Sequence, residues 1–140
     1  MENKLKAVGI IAEYNPFHKG HKYHLGQALT ESRADVCVAV ISGDFTQRGE
    51  IALLDKWTRA EMAVRNGVNL VVEMPTLYAC SNAGYFAEAG VEILEALGAE
   101  VICFGSESGN TEELSRIARE IESNMENLEE EIKTGVKDGL

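Results

Sequence analysis

Residues 8–25, VGIIAEYNPFHKGHKYHL, decide how the rest of the chain is read. The apolar run from Val8 to Ala12 stops at Glu13-Tyr14-Asn15-Pro16-Phe17, and a helical pattern then opens with His18 and His21 three residues apart. That order reads as a strand, a tight turn and a helix start. The first N–H groups of a helix have no partner inside it, so such a turn offers donors and a favourable dipole to an anion such as a phosphate. Gly20 lets the backbone approach that ligand, and Pro16 stiffens the turn.

Outward from this stretch the chain alternates strand and helix. The first strand is expected over residues 6–13, apolar on both faces, with Gly9 marking a close backbone approach. A helix over about 20–32 then turns Leu25, Ala28 and Leu29 towards the sheet. Residues 35–42, DVCVAVIS, are the clearest strand, followed by the polar loop SGDFTQRGE and a helix capped near Asp55 and stopped at Asn66-Gly67. A third strand over 68–74 closes at Pro75, and Ser81 or Asn82 caps a helix over about 84–97 with Phe86, Ala87, Val91, Leu94 and Leu97 on one stripe. After a fourth strand over 100–104 and the loop 105–109, Asn110 or Thr111 opens a long helix. Its Leu114, Ile117, Ile121, Met125, Leu128 and Ile132 form an apolar stripe that needs a cover, in the simplest case a second copy of the chain. The alternation predicts an α/β fold, a parallel sheet with helices on both faces.

One hundred and forty residues with 45% apolar content suit one sizeable core. A formal charge of −10 argues against broad polyanion binding, so no DNA partner is expected and any RNA contact is local or made elsewhere. Cys37, Cys80 and Cys103, odd in number and set among apolar residues, read as buried thiols of a reducing compartment. No stretch is long enough for a signal core or a membrane span, so a cytoplasmic protein without membrane contact is expected.

In a parallel sheet the ligand lies beyond the carboxyl ends of the strands, where strand order reverses. The loops after the first, second and fourth strands converge there, bordered by Glu73-Met74-Pro75. His18 and His21 are read as phosphate ligands, His24 as a nucleotide partner or packing residue, and Asn15 as a hydrogen-bond donor to phosphate or base. The HxxHxxH string lacks a carboxylate or cysteine to complete a zinc shell, so no metal site is assigned to the protein's own residues. Arg48, the fixed cation of its loop, suits a carboxylate or phosphate, with Gln47 beside it. Lys56 and Arg59 are open between a solvated role and a ligand-holding one, Gly105 suits the floor of an adenine or ribose site, and the acidic residues of the last helix read as a solvated face.

NPFHKGH resembles the HxGH signature of the nucleotidyltransferase superfamily, whose members share a Rossmann-like domain. More narrowly, AEYNPFHKGHKYHL, SGDFTQRGE, KWTRAEMA, VVEMP and FGSE, in this order, resemble the bacterial tRNA(Met) cytidine acetate ligase family. The resemblance implies that ATP and acetate form acetyl-adenylate, and that the acetyl group passes to N4 of the wobble cytidine of elongator tRNA(Met). It implies an ATP site made of Ile11, Ala12, Glu13, Tyr14, Asn15, Pro16, Phe17, His18, Lys19, Gly20, His21, Lys22, Tyr23 and His24 with Gly105, with His18 and His21 catalytic and Mg2+ on the leaving phosphates. Members of the family are much longer. Residues 1–110 are therefore expected to form the ATP-binding domain, and 111–140 an acidic helix leading towards an absent tRNA-binding region. The alternatives are another small-substrate adenylyltransferase, or a nucleotide-binding module without catalysis.

Overall fold

The computed structural model describes residues 5–125 and Ile132. Within residues 5–104 the elements are β1 (Ala7–Ala12), α1 (Lys19–Ser32), β2 (Val36–Ser42), α2 (Lys56–Arg65), β3 (Leu70–Met74), α3 (Thr76–Ala79), α4 (Ala83–Ala96) and β4 (Val101–Ile102). The strands form a parallel sheet in the order β3-β2-β1-β4. Strand order reverses beside β1, because the chain steps outward through β2 and β3 and then returns to β1's other edge. In a parallel sheet such a reversal favours ligand binding at the carboxyl ends of the strands, the end that carries the histidine turn.

Period-two alternation divides the core. Val8, Ile10, Cys37, Ala39 and Ile41 point to one face and pack with Leu25 and Ala28 of α1 and Ala63 of α2. Ala7, Val38 and Val40 point to the other, against Ala79 of α3 and Ala89 and Leu94 of α4. Because β1 and β2 are covered on both faces, their sequences are continuous apolar runs. A Cβ on Gly9 would lie 2.6 Å from Leu94 Cδ1, and one on Gly90 the same distance from Ile11 Cδ1. The two glycines thus let α4 settle onto β1 closely.

That contact corrects the stripe expected on α4. Ala87, Val91 and Leu97 face solvent, whereas Phe86, Ala89, Gly90, Ile93 and Leu94 face the sheet. The helix is rotated from its expected phase because glycine, which contributes nothing to a hydrophobic count, marks the closest approach. The turn of helix α3 was absent from the expected elements, and Cys80 beyond it is exposed rather than buried. Asp55 and Asn82 cap α2 and α4 as expected, accepting from Thr58 N and Tyr85 N.

A second compact unit begins at Gly105. Its helix α5 (Thr111–Ser123) is capped by Asn110, whose Oδ1 accepts from Glu113 N at 3.0 Å, and Glu112 and Glu113 in its first turn favour the helix dipole. Leu128 and the acidic residues 129–131 lie outside the described residues.

Candidate active site

Between β1 and α1 the chain turns through Tyr14, at φ 48°, and a cis Asn15–Pro16 peptide. The Tyr14 ring drops into the core, 2% exposed, and meets Phe17 and His21 edge-on with centroids 4.8 and 4.9 Å away. Burial, with a smaller contribution from Cys37, pushes the Tyr14 phenol far above its ordinary range. This packing fixes the turn from below and leaves the histidines on top.

His18 is the N-cap of α1. Its Nδ1 accepts from Gly20 N at 3.1 Å, and its own N–H donates to His21 Nδ1 at 3.2 Å. The two side chains form a reciprocal capping box, a role usually taken by Ser or Thr with Glu or Gln. A ring nitrogen that accepts an N–H carries no proton, so both neutral imidazoles hold theirs on Nε2. The rings stack with centroids 3.7 Å apart, and burial, then the neighbouring His18 and His24, lowers the His21 pKa. The result is a pair of neutral N–H donors at the positive end of a helix. The sequence reading placed both residues at a helix start but missed the cap, for which the HxxH spacing there was the available signal.

The loop after β2 is tied to this turn. Glu13 Oε1 accepts from Gln47 N at 2.5 Å, Asn15 Oδ1 from Leu53 N at 2.6 Å, and Gln47 Nε2 donates to Ser81 O at 2.8 Å. Between these ties lies a cavity of about 440 Å3, lined among others by Glu13, Asn15, Gln47, Arg48, Glu50 and Phe86. Gln47 therefore acts partly as a strut, while Arg48 is exposed at the cavity and makes no ion pair among the described residues. Buried hydroxyls without a partner among the described residues, those of Tyr14, Ser42 and Thr46, also gather at this end of the sheet.

Neither Lys56 nor Arg59 is a free surface charge. Lys56 Nζ pairs with Glu73 Oε2 at 2.8 Å, and Arg59 is fully buried. The Arg59 guanidinium donates to Leu54 O at 3.0 Å, to Glu13 O at 2.6 Å and to Gly43 O. It joins the carboxyl ends of β1 and β2 to the start of α2. Burial lowers its pKa, opposed by the field of Asp44, Glu13, Asp55 and Glu73. Arg59, whose role the sequence leaves open, is thus a buried clamp, since its carbonyl partners come from three separate segments.

The run from Ile11 to His24 divides by exposure. Ile11 packs towards α4, Ala12 and Pro16 are half-buried, and Tyr14 and Phe17 lie in the core, so the last two can offer a ligand only backbone atoms. His18, Lys19, Gly20, Lys22 and Tyr23 are exposed on the first turns of α1. His24 Nε2 lies 3.4 Å from Cys103 Sγ beyond β4, a packing role. Burial raises the Cys37 thiol to about 11, followed in weight by Cys103, and raises that of Cys103 as well, which suits unreactive thiols. Gly105 opens the second unit.

Residues 5–140 match the HIGH Nucleotidyl Transferase family. The chain is 51% identical over 136 residues to the tRNA(Met) cytidine acetate ligase of Syntrophotalea carbinolica and 47% identical over 136 residues to that of Anoxybacillus flavithermus. These matches cover 97% of this chain but 32% and 34% of those proteins, so it spans about a third of the curated relatives' length. The crystal structure of Thermotoga maritima TmcAL bound with alpha-thio ATP superposes with a TM-score of 0.85 at 43% identity, covering 97% of this chain and 33% of that one. With its HKGH signature at the end of the first strand of a parallel sheet, the chain belongs to the HIGH nucleotidyl transferase family.

Proposed function

We propose that this chain is the ATP-activating portion of a tRNA(Met) cytidine acetate ligase. The observation that carries the reading is the stacked pair His18 and His21, whose Nδ1 atoms are committed to backbone N–H groups and whose Nε2–H groups remain to meet phosphate oxygens. An acetate oxygen attacks the α-phosphorus of ATP, the bond to the β-phosphate oxygen breaks, and pyrophosphate leaves. Charge grows on the equatorial and leaving oxygens during this step, where fixed neutral donors at a helix N-terminus stabilise it without reorganising. N4 of the wobble cytidine of elongator tRNA(Met) then attacks the acetyl carbon, releasing AMP.

The exposed start of α1, with Lys19, Gly20 and Lys22, would hold the phosphates. Among the described residues no group of three or more His, Cys, Asp or Glu is arranged to hold a metal ion. A magnesium ion would therefore be carried by the phosphates and water, neutralising the leaving group. No described helix is long and apolar enough to cross a membrane, and a cytoplasmic setting suits an enzyme acting on tRNA.

The test is His21→Ala in the full-length protein, measured by acetate-dependent ATP–pyrophosphate exchange. Loss of one transition-state donor predicts a fall of about 100-fold or more. The capping role adds a stability cost of about 1 kcal/mol, so exchange is measured well below the melting temperature. Unchanged exchange would remove the histidines from the chemistry, and exchange dependent on a phosphorylated acceptor instead of acetate would favour a different adenylyltransferase.

A further inference from the structure

Resting on that reading, we infer that the cavity between the β1 turn and the β2–α2 loop receives the acyl acceptor, an unpaired nucleobase with an exocyclic amine, and not the carboxylate that is activated. Its charge supports this. Among the described residues that line it, Glu13 and Glu50 stand against a single cation, Arg48, so an entering carboxylate meets net repulsion. Its size agrees, because at about 440 Å3 an acetate ion would leave most of it empty.

The lining matches the edge of a cytosine. Glu13 is held through Oε1 by Gln47 N, which leaves Oε2 to accept an amine hydrogen. Asn15 uses its Oδ1 on Leu53 N, which leaves its amide N–H groups for the ring's N3 or O2 acceptors. A uracil would set its O4 acceptor against the Glu13 carboxylate and be rejected. Phe86, braced from behind by the α4 side of the core, offers a ring to stack on. Asn15 lies three residues before His18, so a base held here borders the adenylate. As N4 bonds to the acetyl carbon, the bond from that carbon to the AMP oxygen breaks, AMP departs with the electron pair, and the N4 proton passes to a cavity carboxylate.

The experiment separates the two half-reactions in the full-length protein, using acetate-dependent pyrophosphate exchange and acetyl transfer to a tRNA(Met) transcript. Phe86→Leu keeps the core filled while removing the stacking ring, and Glu50→Gln alters only an exposed side chain. Each is expected to lower transfer at least tenfold relative to exchange. Cytidine 5′-monophosphate is expected to compete with the transcript at least tenfold better than uridine 5′-monophosphate. If exchange falls with transfer and the KM for acetate rises, the cavity is the carboxylate site and the inference is overturned; it is equally overturned if the variants change neither step. A wild-type protein lacking both half-reactions would refute the proposed function itself, whatever the cavity binds.

Discussion

Replacing Arg59 with methionine removes the guanidinium donors at the carboxyl edge of the sheet while keeping the aliphatic stem in place. Three backbone carbonyls, those of Glu13, Gly43 and Leu54, lose their partner, the Gly43 bond being buried and the other two partly buried around a side chain with no solvent exposure. A buried acceptor left unpaired costs about 1–3 kcal/mol. Three of them reach roughly 3–5 kcal/mol once some water entry and the relief of a desolvated cation are allowed for. Arg59→Ala should cost about 1–2 kcal/mol more through the lost stem, whereas Arg59→Lys should recover only part because an ammonium cannot span three segments at once. Urea unfolding followed by far-UV circular dichroism reads these differences directly. A methionine variant within 1 kcal/mol of wild type would refute the clamp. An intact stability with lost exchange would move Arg59 from scaffold to chemistry.

Gly9→Ala should destabilise by about 1–3 kcal/mol because Leu94 has nowhere to move, whereas Gly26→Ala, with nothing within 4 Å of its added Cβ, should gain about 0.5–1 kcal/mol in the exposed face of α1; equal effects in thermal melts would contradict the close α4 contact. The lowered His21 pKa makes a pH prediction. Between that lowered value and 6.5 the unfolded chain binds a proton that the folded chain does not, so stability rises with pH across this window and is lost on acidification. The urea midpoint should fall from pH 7.5 to pH 5.5, with a smaller fall in His21→Gln, and an identical fall in both would assign the effect to other groups.

Much of the sheet was legible because β1 and β2 are buried on both faces and read as unbroken apolar runs. The histidine turn was legible for a related reason, since a strand end, proline, glycine and helix start in close succession leave few conformations. Where the reading fell short at Arg59, the deciding partners lay far away in sequence. Arg59 looks like any helix-surface arginine until the carbonyls of Glu13 and Gly43, 46 and 16 residues distant, converge on it. Cys80 looks buried by its neighbours' hydrophobicity and is exposed because a turn of helix intervenes.

The sequence by itself determined the strand–turn–helix start, the α/β alternation, and the position of His18 and His21 at that helix start, because these depend on local geometry and on periodicity along the chain. Only the tertiary structure decided the phase of α4, the buried clamp, the tautomers of the histidine pair and the cavity beside it. Each of these arises where backbone groups from separate loops are brought within hydrogen-bonding or van der Waals reach. That proximity is set by packing of the sheet and helices and leaves no periodic trace in the residues that share it.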